Sequence, residues 1–89
     1  MHQLWFVYIL RCSDGTYYTG HTHNLETRLK SHNAGKASKY TAPRRPVSLI
    51  HSESLPSRSA AAKREYQIKQ LTRAKKEALV RGDLPLEQN

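Results

Sequence analysis

Tyr8, Tyr18, Arg28, His32 and Glu65 are the side chains of this sequence whose types and spacing could do chemistry. Taken together they suit hydrolysis of a phosphodiester. That reaction needs a base to activate water, positive charge for a phosphorane-like transition state and help for the leaving oxygen. Arg28 suits the second task, because its planar fork can meet two phosphate oxygens at once. Glu65 suits the third as a Mg²⁺ ligand, since magnesium commonly takes one or two carboxylates plus waters and substrate phosphate. A tyrosine is an unusual base, with a reference pKa of about 10. Arg28, His21, His32 and a bound metal would each favour phenolate and lower that value. The second tyrosine then has the milder task of orienting the water. Other chemistries fare worse. His21 and His23 lie close together, but no Cys/His zinc spacing accompanies them. There is no P-loop or dinucleotide glycine pattern, and no serine sits in a nucleophile elbow.

The elements that must position these residues are legible in order. Leu4 to Arg11 is an unbroken apolar and aromatic run, rich in ring and β-branched side chains, which predicts a strand buried on both faces. Ser13-Asp14-Gly15 is a turn, with Gly15 free to take the positive φ a tight reversal needs. Thr16 to Thr19 follows as a second, antiparallel strand that Gly20 ends. Asn24 is a natural N-cap, and Leu25, Arg28, Leu29 and His32 recur at i, i+3, i+4 and i+7. This makes the inward stripe of the first helix half leucine and half cation. Arg28 therefore needs a phosphate or carboxylate partner; an internal acid at the rim is the bland alternative. Asn33-Ala34-Gly35 stops that helix, with Gly35 as its C-cap.

Lys36 to Pro46 has no periodicity and reads as a surface loop, held extended by Pro43 and Pro46. Its Lys36, Lys39, Arg44 and Arg45, with Tyr40 as the single aromatic, could follow a phosphate backbone; a solvated charge run is the competing reading. Val47 to Ser52 predicts a third strand, broken by Pro56 and Ser57. Ser57 or Ser59 caps a second helix running to about Gln70, on which Ala61, Glu65, Ile68 and Thr72 are in register. Thr72 caps a last helix over Arg73 to Val80, ended by Gly82 and Pro85, with Leu79 and Val80 to dock it. The expected fold is α+β, in the order β-β-α-β-α-α: a small, mainly antiparallel three-stranded sheet flanked by helices. A single domain spans 1–82, and 83–89 forms a short frayed tail.

The formal net charge of +8 favours a polyanionic partner. Lys63 and Arg64 lie in the most basic part of the chain, from Arg58 to Arg81 in the C-terminal half, where Glu65 and Glu77 are the acids that oppose the cations. An acid that faces inward in so basic a stretch is a candidate for a specific task. As a mere i,i+4 partner of Lys69 it would contribute only about 0.2–0.5 kcal/mol. No apolar run approaches the roughly 20 residues that span a bilayer. Met1 leads straight into strand-like sequence, so no signal peptide is expected. Cys12 is the single cysteine, expected to be a small apolar residue at a strand end rather than a reactive thiol, and a cytoplasmic setting is the expectation.

Val7-Tyr8-Ile9, then Tyr18-Thr19-Gly20, Arg28, His32 and Glu65 make an ordered set that resembles the GIY-YIG nuclease superfamily over Trp5 to about Val80. The resemblance is closest to small stand-alone bacterial members. It implies Mg²⁺- or Mn²⁺-dependent cleavage of DNA strands in repair, recombination or restriction. By position Tyr8 and Tyr18 are the motif tyrosines, one of them the base. Arg28 is the phosphate-binding arginine, Glu65 the metal ligand, and His32 stands where members carry histidine or tyrosine. His21 stands where some repair nucleases have a lysine, and Lys39 and Tyr40 fall in the basic loop. His21, Lys36, Lys39, Tyr40, Arg44, Arg45, Lys63 and Arg64 are the expected nucleic-acid contacts. Several endonucleases have an asparagine on the last helix; here Glu77 is nearby instead. No separate DNA-binding domain is present, so a protein partner could supply specificity. DNA is the expected substrate, with RNA still open. The alternatives are a nucleic-acid-binding module that cuts weakly or only with a partner, and a basic adaptor for an acidic protein.

Overall fold

The computed structural model describes residues 3–83. Three strands, β1 (Trp5–Arg11), β2 (Tyr17–Thr22) and β3 (Ser48–Leu55), form one antiparallel sheet in the order β2-β1-β3. Three helices flank it: α1 (Leu25–Asn33), α2 (Arg58–Lys69) and α3 (Arg73–Arg81). This is the α+β arrangement expected from the sequence. Of the expected tail only Asp83 lies within the described residues.

β1 is central because its side chains can be buried on both faces, and the period of two divides them. Val7 and Ile9 pack on one face with Ile68 of α2 and Leu79 of α3. Tyr8 and Leu10 point to the other, where Cys12, Val47 and the leucines of α1, Leu25 and Leu29, cover them. Each helix starts on a side chain that satisfies a free amide. Asn24 accepts from Thr27 N (3.1 Å), Ser57 from Ala60 N (3.1 Å) and Thr72 from Lys75 N (3.2 Å). α3 ends on Gly82 in the left-handed region, φ 84°.

The end of β2 and the start of β3 differ from the sequence expectation, each for a local reason, and so does the exposure of Arg28. β2 does not stop at Gly20 but runs on through His21 and Thr22. Gly20 faces Tyr8 across the ladder, and a Cβ there would come within 2.6 Å of the Tyr8 hydroxyl. The glycine marks a close approach between strands, not an end. β3 begins one residue late and extends to Leu55. Val47 is withdrawn from it because Asn33 of α1 binds its backbone, receiving Val47 N (2.8 Å) and donating to Val47 O (3.0 Å). Arg28, expected on the inward stripe, is exposed, while His32 is buried.

The segment between α1 and β3 is anchored rather than loose. Thr41 within it is fully buried, and a single 3-10 turn, Ala42–Arg44, follows. Arg44 donates to Asp14 Oδ2 (3.1 Å) and to Tyr40 O (2.7 Å), tying the segment to the β1–β2 turn. Arg45 donates to Ala42 O (2.6 Å) and packs against Gly35, whose left-handed φ of 78° any other residue would resist.

Candidate active site

Tyr8 stands at the middle of β1 on the α1 face, its ring laid over Gly20 and only 2 % exposed. Its hydroxyl lies 2.9 Å from His32 Nε2, and His32 Nδ1 lies 2.8 Å from Thr41 Oγ1. The Thr41 hydroxyl also reaches Ser38 O at 3.4 Å, and a carbonyl can only accept. The hydroxyl therefore donates there and accepts from His32 Nδ1–H. This assignment leaves the Nε2 lone pair facing the Tyr8 O–H. Among the described residues no buried side-chain nitrogen or oxygen lacks a partner. The line is complete, and deleting any member strands its neighbour.

Burial decides the protonation states along this line. It raises the Tyr8 pKa above its ordinary value; Tyr18 and Glu65 push the same way, and Arg28 pulls it down without prevailing. Burial lowers the His32 pKa, with Arg28 adding to the effect. The expectation that neighbouring cations lower the phenol's pKa thus holds for Arg28 alone. His32 adds no positive charge, because it is held neutral. What it offers instead is an unshared electron pair aimed at the proton that Tyr8 would have to lose.

Tyr18 and Arg28 are the open members of the group. Tyr18, diagonal to Tyr8 on the same face, meets the edge of His32 with centroids 5.1 Å apart. It stacks on Tyr40 at 6.0 Å, and the Arg44 guanidinium covers the Tyr40 ring at 3.9 Å. Arg28, one turn before His32 on α1, is exposed and lines a shallow pocket beside Tyr8. Among the described residues no carboxylate lies within ion-pair distance of it, so its fork is free to meet a phosphate.

Glu65 reaches the same strand from the other side of the sheet. His21 is next to Gly20 on β2 but faces α2, and its Nδ1 lies 2.5 Å from Glu65 Oε1. The Lys69 ammonium lies 2.6 Å from Glu65 Oε2. Burial alone would raise the carboxyl's pKa, but the bonds from Lys69 and His21 outweigh it and hold Glu65 below the usual range. Among the described residues no cluster of three or more His, Cys, Asp or Glu could enclose a metal. Glu65 would be the single carboxylate of a divalent ion otherwise held by water and substrate phosphate, which is how Mg²⁺ is commonly bound. The site fits a cation: a half-buried carboxylate that already holds an ammonium.

The expected nucleic-acid contacts divide into two sets. Lys36 and Lys39 are exposed on the rim of an open cleft of about 210 Å³, Lys63 is exposed on α2, and Tyr40 is exposed in its stack. Arg44 and Arg45 donate to the loop and turn described above. Arg64 clamps Glu53 with two bonds (2.8 and 3.2 Å), and His51 holds the same carboxylate at 2.8 Å. His21 is bound to Glu65 and packs beside Trp5. Sequence reasoning passed over Thr41, which carries no motif and meets His32 only through the fold of its loop. It also passed over a groove of about 310 Å³ along the start of β2, lined by Tyr17, Tyr18, Thr19, Tyr40, Lys69 and Lys76. The signal for the groove was present: two aromatics in succession on an edge strand put one ring on each face.

The family model described as "GIY-YIG catalytic domain" matches residues 4–78. The chain belongs to the GIY-YIG family. A UPF0213 protein of Halobacterium salinarum is 59 % identical over 73 residues, covering 82 % of this chain and 95 % of the other. One of Bacillus velezensis is 52 % identical, covering 84 % and 76 %. The solution NMR structure of a UPF0213 protein from Bacillus halodurans superposes with a TM-score of 0.57 at 45 % identity, covering 88 % of this chain and 83 % of that one. GIY-YIG domains are generally endonucleases that use divalent metal ions and act on DNA. In the geometry above, the glycine of the second GIY-YIG motif has a physical reason. The ring of the first motif's tyrosine lies over it, where any side chain would collide.

Proposed function

We propose that this chain is a Mg²⁺- or Mn²⁺-dependent DNA endonuclease, directed by strand or structure, that serves DNA repair or recombination in the cytoplasm. The observation that carries the reading is the buried line Tyr8–His32–Thr41, a neutral phenol hydrogen-bonded to a neutral imidazole whose free electron pair faces it. As Tyr8 passes its proton to His32 Nε2, the phenolate takes one from a water that attacks phosphorus. The imidazolium so formed keeps its Nδ1–H on Thr41, so the line needs no rearrangement to take up charge. Tyr18 orients the water, and Arg28 meets two non-bridging phosphate oxygens as negative charge grows there. A divalent ion on Glu65 would supply charge for the leaving oxygen. Lys36, Lys39, Lys63 and Tyr40 are positioned to follow the strand beyond the site. Arg44, Arg45, Arg64 and His21 support the reading through the loop, Glu53 and Glu65 that they hold. Among the described residues no helix is long and apolar enough to cross a membrane.

The test is cleavage of duplex, nicked, flapped and branched DNA, with RNA counterparts, in Mg²⁺ or Mn²⁺. Wild type is run beside Glu65→Ala. Cleavage is expected from wild type alone, while the variant binds DNA as well or better because a negative charge is gone. Equal cutting by both would remove Glu65 from the metal site. A second reading, a nucleic-acid-binding module with weak or partner-dependent cleavage, is favoured by one observation: His21 and Lys69 already engage both Glu65 oxygens. It predicts salt-sensitive binding without cleavage until a protein partner is added.

A further inference from the structure

Lys69 occupies two places at once. It is the last residue of α2, its side chain half exposed, with its ammonium on Glu65 Oε2. It also lines the groove along β2 with Tyr17, Tyr18, Tyr40 and Lys76. A divalent ion on the Glu65 carboxylate would sit within a few ångströms of that ammonium, and like charges so close repel each other. The pair is an i,i+4 contact whose lysine is half exposed, so water receives the ammonium as it leaves and displacing it costs little. The flexible lysine stem allows it to move by rotation alone.

We propose that Lys69 is an exchangeable counter-ion. It neutralises Glu65 in the free protein and, once a divalent ion takes the carboxylate, turns into the tyrosine-lined groove to bind a phosphate of the nucleic-acid strand. The proposal rests on the nuclease reading above and adds a residue that reading does not use. Its consequence is a change of charge. The Glu65–Lys69 pair is formally neutral, whereas a metal-bound Glu65 with a released ammonium presents positive charge in two places. Metal loading thus prepares the groove for phosphate, and Lys76 lines the same groove. By linkage, the strand raises metal affinity by the same factor.

The experiment measures Mn²⁺ affinity by electron paramagnetic resonance, and the salt dependence of duplex binding with and without Mg²⁺. All proteins carry Tyr8→Phe so that substrate stays intact. Lys69→Met should bind Mn²⁺ about twofold more tightly, the gain expected when the i,i+4 pair no longer has to be broken. Lys75→Met, an equal charge change on an exposed lysine of α3, should leave the Mn²⁺ affinity nearly unchanged. In Mg²⁺, Lys69→Met should lower the salt slope of binding by about 0.9, the share of one phosphate contact. Without metal the slopes should coincide. Unchanged Mn²⁺ affinity in Lys69→Met would reduce the pair to a helix-surface contact and overturn the proposal. Tighter Mn²⁺ binding with an unchanged slope in Mg²⁺ would overturn the transfer to phosphate. Mn²⁺ binding indifferent to Glu65→Gln would sink the metal site itself, a different failure from either.

Discussion

In the proposed assignment the two faces of the sheet carry the two halves of the site, and they are built on opposite principles. On the α1 face, Tyr8, His32 and Thr41 are buried, neutral and joined by hydrogen bonds that leave no polar atom unpaired. On the α2 face, Glu65, His21 and Lys69 are partly open and bound through charge. Burial sets the first half: it keeps the phenol and imidazole uncharged and fixes their direction. The second half resists burial's effect, because its partners hold the carboxylate ionised. Gly20 adjoins both: the Tyr8 ring lies over it on one face, and its neighbour His21 holds Glu65 on the other. A proton-transfer line profits from being closed, since water would offer it other partners. A cation site has to exchange ligands and so has to stay open.

The largest effect that separates the halves should come from Tyr8→Phe. It removes one oxygen from the closed line and should slow cleavage by about 10²–10⁴-fold, the range of general base loss. Metal affinity at Glu65 should not move, as read by Mn²⁺ titration. A folded Tyr8→Phe protein that cuts at the wild-type rate would move the base to Tyr18. Arg28→Ala should follow, with a loss of about 10²–10³-fold in turnover. Because Arg28 is exposed and has no acid partner among the described residues, the thermal midpoint should hardly change. Loss of stability instead of turnover would make the arginine scaffold.

Much of this was legible along the chain, and what was not shares a cause. The β1 run, the Gly15 turn and the caps Asn24, Ser57 and Thr72 are local signals, read from neighbours a few positions away. The placement of Glu65 was legible too, since Ala61, Glu65 and Ile68 share a helix face, and two of them prove to be buried core. The partners of Arg44, Arg45 and Arg64 were not, because Asp14 and Glu53 reach them only through tertiary packing. Counting cations in sequence cannot tell a free one from a clamped one. Gly20 misled for a related reason: a glycine in a strand reads as a stop unless the ring that crosses it is known. Thr41 gave no warning at all, as a threonine in a basic loop is ordinary until a histidine buried beneath that loop needs its hydroxyl.

Gly20→Ala tests the place where the halves adjoin. The new Cβ would meet Tyr8 Oη at 2.6 Å and Cζ at 2.8 Å, so the ring must shift. Overpacking of this kind should cost about 1–3 kcal/mol, read as a lower denaturant midpoint. Adding Tyr8→Phe removes the nearest atom and should restore part of the loss. Because the two positions touch, the double variant should depart from additivity. Simple addition would mean that the clash is relieved elsewhere.

The smallest effect, stability against pH, still distinguishes the halves, because they fail at different acidities. The folded pKa of His32 is depressed below its ordinary 6.5, chiefly by burial. The unfolded chain therefore binds the proton first, and stability falls as pH drops from above 6.5 through the depressed value. Glu65 is depressed from 4.5 by Lys69 and His21 against the pull of burial, so its contribution is intact above 4.5 and fades only below. Glu53 adds to the same acid stage, fading from 4.5 down to about 2, because its bonds to His51 and Arg64 outweigh burial. Urea midpoints taken from pH 7.5 down to 3 should thus decline in two stages. His32→Gln should flatten the first stage and leave the second, whereas Glu65→Gln should soften only the second. If His32→Gln keeps the wild-type slope between pH 7 and 5, the imidazole is not held neutral, and the proton it is positioned to accept from Tyr8 must go elsewhere.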